Sequence, residues 1–182
     1  ESYQEINRES FFTSDMRKTI LEQIRTKWVE GKIGRIVSAR ILPGSHLIHG
    51  IEKICIENGI KSGTFSVIGS LEKATFMIPI KKDGAKMGVG YSEPKTIMGP
   101  LEILSGEGFI SKDRESESGL FIHLHGIVGD VKGRLYGGHF LPGENPALLT
   151  LDIVIFEFTD VLLSRDYDPE IEMRLIIPRP KQ

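Results

Sequence analysis

His123, His125 and His139 fall within one span of seventeen residues, in the run Phe121-Ile-His123-Leu-His125-Gly-Ile-Val-Gly-Asp130-Val-Lys-Gly133-Arg-Leu-Tyr-Gly-Gly138-His139. Strand side chains alternate from face to face, so a His-x-His pair on a strand presents both imidazoles on one side. The segment from Asp130 to Gly133 carries turn residues between two apolar runs and predicts a fold-back. A three-residue loop there sets Asp130 opposite Arg134 and His125 opposite His139. His123 then lies about one residue pair further from the turn. Directly opposed β-carbons sit roughly 5 Å apart. Three neutral imidazole nitrogens converging on one patch are a usual first shell for a divalent metal, zinc foremost, with nickel, iron or copper compatible by donor type. The competing reading is a polar cluster with a purely structural role. A slip of one residue in register would carry His139 to the other face.

Candidate acid–base partners for such a centre are Glu102, Asp130 and Glu107. Each has a plainer reading. Asp130 suits a turn-former, and Glu102, between apolar residues, suits an exposed strand position or an ion pair. Arg40 reads equally as a strand-end surface charge or as a partner for an acid. His46 and His49 fall on the polar side of an expected helix and read as solvated. The sequence contains no nucleophile elbow, and its glycine-rich pieces lack a Walker lysine and a dinucleotide fingerprint. Whether the protein is an enzyme is left open at this level.

The elements that must hold these residues follow from periodicity. Thr13 or Ser14 caps an expected helix running to about Val29, with Met16, Ile20, Leu21, Ile24 and Trp28 forming one apolar stripe. Ile33 to Leu42 reads as a strand ending at Pro43-Gly44. Ser45 is a good N-cap for a second helix to Asn58, with Leu47, Ile48, Ile51, Ile54 and Cys55 facing inward and Gly59 closing it. Helical periodicity then disappears. Gly63 to Ile68, Ala74 to Ile80, Leu101 to Ser105, Gly108 to Ser111, the histidine hairpin, Ala147 to Thr159 and Ile171 to Ile177 read as strands. Lys81 to Pro100, Lys112 to Ser118, Pro142 to Pro146 and 160–169 read as loops. The expectation is an α+β fold: a mostly antiparallel β-sheet packed by one main helix, with an N-terminal helical extension.

At 182 residues and 40% hydrophobic content the chain suits one domain with a proper core. A net charge of −2 gives no general attraction for nucleic acid. The single cysteine, Cys55, precludes an internal disulfide and reads as a small buried hydrophobe. No apolar run approaches the roughly 20 residues of a membrane helix. The first residues lack the basic and apolar regions of a signal peptide, so a cytoplasmic location without membrane association is expected.

Several stretches together resemble a known family. They are Arg40-Ile-Leu-Pro43-Gly44, Glu57-Asn-Gly59-Ile60-Lys-Ser-Gly63, Val67-Ile-Gly69-Ser-Leu, Gly99-Pro-Leu-Glu102-Ile-Leu104-Ser, His123-Leu-His125-Gly-Ile-Val-Gly-Asp130 and Tyr136-Gly-Gly138-His139. In this order they resemble the PPC domain (DUF296), the plants and prokaryotes conserved domain. The resemblance covers about residues 33–160, leaving 1–32 as a partly helical extension and 161–182 as a C-terminal strand and tail. It implies an antiparallel α+β fold, a homotrimer, and metal binding through His123, His125 and His139.

Plant members follow AT-hook peptides that bind A·T-rich DNA, and prokaryotic members are often labelled as DNA-binding. This chain departs in two ways: Ser45 replaces the usual acid after Pro-Gly, and no Arg-Gly-Arg-Pro hook occurs. Its local basic clusters, Lys81-Lys82 and Arg179/Lys181, read as a solvated turn and a frayed tail. Three function classes therefore stand side by side: a metal-binding trimer, hydrolytic in one version; a DNA-associated protein; and an assembly platform in which the ion serves stability alone.

Overall fold

The computed structural model describes residues 14–181. Two helices and ten strands run in the order α1 (Ser14–Gln23), β1 (Ile33–Ile41), α2 (Leu47–Glu57), β2 (Gly63–Met77), β3 (Pro79–Lys81), β4 (Val89–Tyr91), β5 (Lys95–Lys112), β6 (Leu120–Asp130), β7 (Leu135–Phe140), β8 (Ala147–Phe158), β9 (Val161–Asp168) and β10 (Met173–Pro180). The expected α+β class with a mostly antiparallel sheet is what the chain adopts. The sheet order is β1-β8-β2-β7-β6-β5-β9-β10, and β2 also pairs with β5. One edge of β2 is covered by β5, and the other first by β8 and then, at Phe76 and Met77, by β7. Strands β2, β5, β6 and β7 thus close on one another.

The core follows from alternation. Phe65, Val67 and Leu71 on β2, Ile110 on β5, Ile122, Leu124 and Val128 on β6 and Phe140 on β7 are buried in one cluster. Leu47, Ile48, Ile51 and Cys55 of α2 join it, as their spacing of three and four requires. Cys55 is a buried thiol pushed up to about 12 by that burial and by the nearby Glu52. The helix ends as expected at Gly59, whose φ of 67° suits glycine. The Ile60 and Gly59 amides close on the Cys55 and Ile56 carbonyls, a Schellman arrangement.

Several local expectations needed correction. α1 stops at Gln23 rather than near Val29, and its stripe stays outside the core: Trp28 is 76% exposed, and Met16, Ile20, Leu21 and Ile24 are exposed too. Periodicity marks a helix face but does not by itself bury it. Residue Thr13, the other expected cap, lies outside the described residues. The N-cap of α2 is His46, not Ser45.

The two strands expected at Gly63–Ile68 and Ala74–Ile80 are one, β2, whose register shifts at Gly69 and Leu71 absorb the apparent break. The pieces expected at 101–105 and 108–111 are likewise one strand, β5. The stretch 81–100, expected as a loop, contributes to the hairpin of β3 and β4 and to the start of β5. Residues 161–168, also expected as a loop, form β9. The tail is paired rather than frayed: β10 runs to Pro180 and the Lys181 amide bonds the Asp160 carbonyl at 2.8 Å. Among the described residues no helix is long and apolar enough to cross a membrane.

Candidate metal centre

The β6–β7 hairpin forms in the register that the turn residues dictate. His125 pairs with His139, Gly129 with Leu135, and the Asp130 amide bonds the Arg134 carbonyl at 3.0 Å. His123 and His125 alternate with buried Ile122 and Leu124, so the imidazoles leave on the face away from the core. On the other side of β6, β5 approaches closely. A β-carbon on Gly108 would lie 1.9 Å from the His123 carbonyl oxygen, so only glycine lets these two strands pack beneath the site.

The three rings converge. His123 Nε2 and His125 Nε2 are 3.1 Å apart, and His139 Nδ1 is 3.3 Å from His125 Nε2. All three donor nitrogens lie within 4.8 Å of one another. Tetrahedral zinc with nitrogens at 2.0–2.1 Å requires donors about 3.3 Å apart. Two of the separations already meet that requirement. His125 Nε2 takes part in both close contacts, yet one ring nitrogen offers either a proton or a lone pair, not both. The trio therefore cannot satisfy itself fully, whereas a cation at its centre would engage three lone pairs at once.

Electrostatics favour the neutral, metal-ready form. Burial first, then His125 and Arg165, lower the pKa of His123. Burial first, then His123, His125 and Arg165, lower His139 to about 4. Two aromatic rings flank the cluster. Tyr91 of β4 lies 5.6 Å from His139, and Phe121 stacks on His123 at 5.8 Å between centroids. Phe121 also carries the Arg165 guanidinium over its ring, 3.9 Å from the centroid. Arg165 of β9 and Arg174 of β10 in turn hold Asp113, at 3.1 and 2.7 Å. Burial alone would raise the Asp113 pKa; the Glu115 amide and the two guanidinium groups outweigh it and keep the carboxyl below its usual range.

The remaining candidates are placed as follows. Asp130 sits in the turn, and its carboxylate accepts from the Lys132 and Arg134 amides, the Arg134 guanidinium and the Tyr136 hydroxyl. Burial pulls its pKa upward, but the Arg134 and Lys132 bonds hold it down to about 2. Glu102 is exposed on β5 opposite Gly129, four residues along β6 from His125. Glu107 pairs directly with His125 and shares its face, at the rim of the cluster. Arg40 donates to Thr150 on β8 at 2.7 Å. His49 is exposed, and half-buried His46 has an Nδ1 with no hydrogen-bond partner. Neither joins the three-histidine cluster. Tyr91 and Arg165 lay outside the sequence reading. Both come from segments expected as loops, and their approach depends on long-range pairing with no local signal.

Among curated proteins, the bifunctional protein GlmU of Synechococcus sp. (strain JA-3-3Ab) is 30% identical over 138 residues, covering 74% of this chain and 19% of that protein. The chain thus spans about a fifth of the length of that relative. Among solved structures, the metal-containing protein AF0104 from Archaeoglobus fulgidus superposes with a TM-score of 0.70 at 26% identity, covering 84% of this chain and 99% of that one. A protein from Ralstonia eutropha JMP134, provisionally described as DNA-binding, shares the fold with a TM-score of 0.62 at 24% identity, covering 76% of this chain and 88% of that one. The model of the Plants and Prokaryotes Conserved (PCC) domain matches residues 29–159, a stretch that contains the closed strands and all three converging histidines. The chain belongs to the Plants and Prokaryotes Conserved domain family.

Proposed function

We propose that this protein binds one divalent ion per chain, zinc foremost, through His123, His125 and His139, and that it works as a homotrimer. The observation that carries the reading is the nitrogen spacing of 3.1 and 3.3 Å in a trio with no internal counter-charge. Three protein ligands leave a fourth coordination position for water or a ligand. A zinc ion there would supply Lewis acidity and a bound water of lowered pKa, which is the basis of the hydrolytic version of the reading. In that version Glu107, opposite His125, is the carboxylate nearest in register, ahead of Glu102 and Asp130.

Assembly has its own support. Phe109, opposite His123, and Ile127, two residues along β6 from His125, are exposed beside the histidines, and Ile36 and Ile68 are exposed elsewhere on the sheet, apolar surface of the kind a subunit contact covers. Elemental analysis combined with solution mass tests both parts. The expected result is close to one ion per chain and a particle three times 20.3 kDa. Background metal in folded protein overturns the first part, and a monomeric mass overturns the second.

A second reading, association with DNA, is favoured by one observation. Lys61, Lys112, Arg179 and Lys181 line a single cavity of about 720 Å³. Arg179 is already paired with Asp166 at 2.9 Å, which weakens the patch. Binding of an A·T-rich duplex measured against salt decides it, since phosphate contacts are strongest at low salt. No binding there removes this reading.

A further inference from the structure

The cavity of about 720 Å³ is a hollow within the size range of small-molecule sites, and no histidine lines it. The turn after α2 and the ends of β5, β8 and β10 meet the start of β9 around it. Two of its wall charges are already balanced. Glu157 accepts from Arg35 Nε at 2.8 Å, and Arg179 Nη2 donates to Asp166 at 2.9 Å. Lys61, Lys112 and Lys181 are exposed, and their side chains have no hydrogen bond or acid partner among the described residues. Asp160, next in sequence to the wall residue Val161, holds its carboxylate against the Lys32 amide at 2.6 Å. Buried Ser62 already accepts from the Leu163 amide at 2.9 Å. The wall thus offers three ammonium groups and no unpaired carboxylate, which suits an anion rich in acceptor oxygens. The rest of it is mainly apolar, with Phe158, Val161, Leu162 and Pro180.

We propose that this cavity binds a nucleoside diphosphate, its phosphates held by Lys61, Lys112 and Lys181 and its base and sugar lying against the apolar part of the wall. The charge count selects the ligand. A terminal phosphate carries about −1.5 to −2 near neutral pH, and the adjoining phosphate adds one more, close to the three unpaired ammonium groups. The site does not depend on the histidine centre. It competes with the duplex reading, because the same lysines serve both, and a discrete ligand uses the apolar half of the hollow that a phosphate backbone leaves idle.

Equilibrium dialysis of labelled ADP against the full chain tests this. Wild-type protein should bind saturably, with one ADP per chain. Lys61→Gln and Lys112→Gln should each weaken binding about tenfold, while Lys82→Gln, in the turn between β3 and β4, leaves it unchanged. Absence of saturable binding, or equal affinity in all three variants, overturns the proposal. Should the first two variants fail to fold, an ADP affinity that does not fall between about 50 and about 200 mM salt overturns it instead. Pyrophosphate should displace ADP but bind more weakly; equal affinity would remove the organic half of the ligand. An A·T-rich duplex that displaces ADP more effectively than pyrophosphate gives the lysines to DNA and overturns the nucleotide. Chelator-treated protein should bind ADP as well as untreated protein does. Loss of ADP binding on chelation would move the ligand to the histidines and overturn this site, whereas metal-free protein that still binds ADP separates this proposal from the metal centre.

Discussion

Two clusters of ionisable side chains both touch Phe121, and they meet opposite needs. Asp113, Arg165 and Arg174 bring unlike charges together, with Asp113 only 3% exposed. Each charge there has a counter-charge within the chain. His123, His125 and His139 bring like groups together; burial first, then neighbouring imidazoles, makes His123 and His139 harder to protonate. The charges of the first cluster balance within the chain, although Arg165 Nε is buried without a hydrogen-bond partner, and the cluster joins β9 and β10 to the loop after β5. The second holds three like groups with no counter-charge among them, which the proposed cation would supply. Clustering alone therefore does not mark a functional site; the lack of a counter-charge does.

The comparison can be broken in four ways. The largest effect belongs to His139→Ala. Loss of a direct ligand should weaken ion binding by more than the roughly hundredfold that removal of an outer partner costs, measured by competition with a chelating dye. The metal-free variant should melt close to wild type. Second, Asp113→Ala leaves two guanidinium groups facing each other; allowing for their partial exposure, it should cost about 2 kcal/mol in a urea titration while cobalt stoichiometry holds. An unchanged midpoint would show that the arginine corner is ornamental.

Third is a pH dependence. His139 has a folded pKa of about 4 against 6.5 for the free side chain, so the unfolded chain binds its proton first as pH falls. Metal-free protein should hold the full contribution above pH 6.5 and lose it as pH drops toward about 4. The His139→Ala variant should lack that part of the slope. Fourth and smallest, Phe121→Leu removes the ring shared by both clusters. A loss of about 0.5–1 kcal/mol in stability is expected, with a slight weakening of ion binding. An effect on only one of the two would mean that the clusters do not communicate through the ring.

The histidine ribbon was legible because its determinants are local. Period-two alternation and the Asp130–Gly133 turn set its register without help from the rest of the chain. The inward face of α2 was legible for the same reason. What escaped was whatever distant pairing decides. The register shift at Gly69 makes one long strand look like two, and β9 reads as a loop until β10 lies beside it. The apolar stripe of α1 shows the converse, a strong local pattern whose side chains remain exposed among the described residues. Around the site, the imidazoles were readable, whereas Tyr91 and Arg165 arrive from outside the ribbon.

Only two rungs, Phe76 with Phe140 and Met77 with His139, fasten β7 to the end of β2. His139 is therefore the last tooth of a zip whose other end lies deep in the core. The Phe76 and Phe140 rings, 5.9 Å apart, act as its stop. Whatever loosens that stop leaves His139 held by its ladder with β6 alone, so the grip on the proposed ion would be tuned partly by hydrocarbon that never touches it.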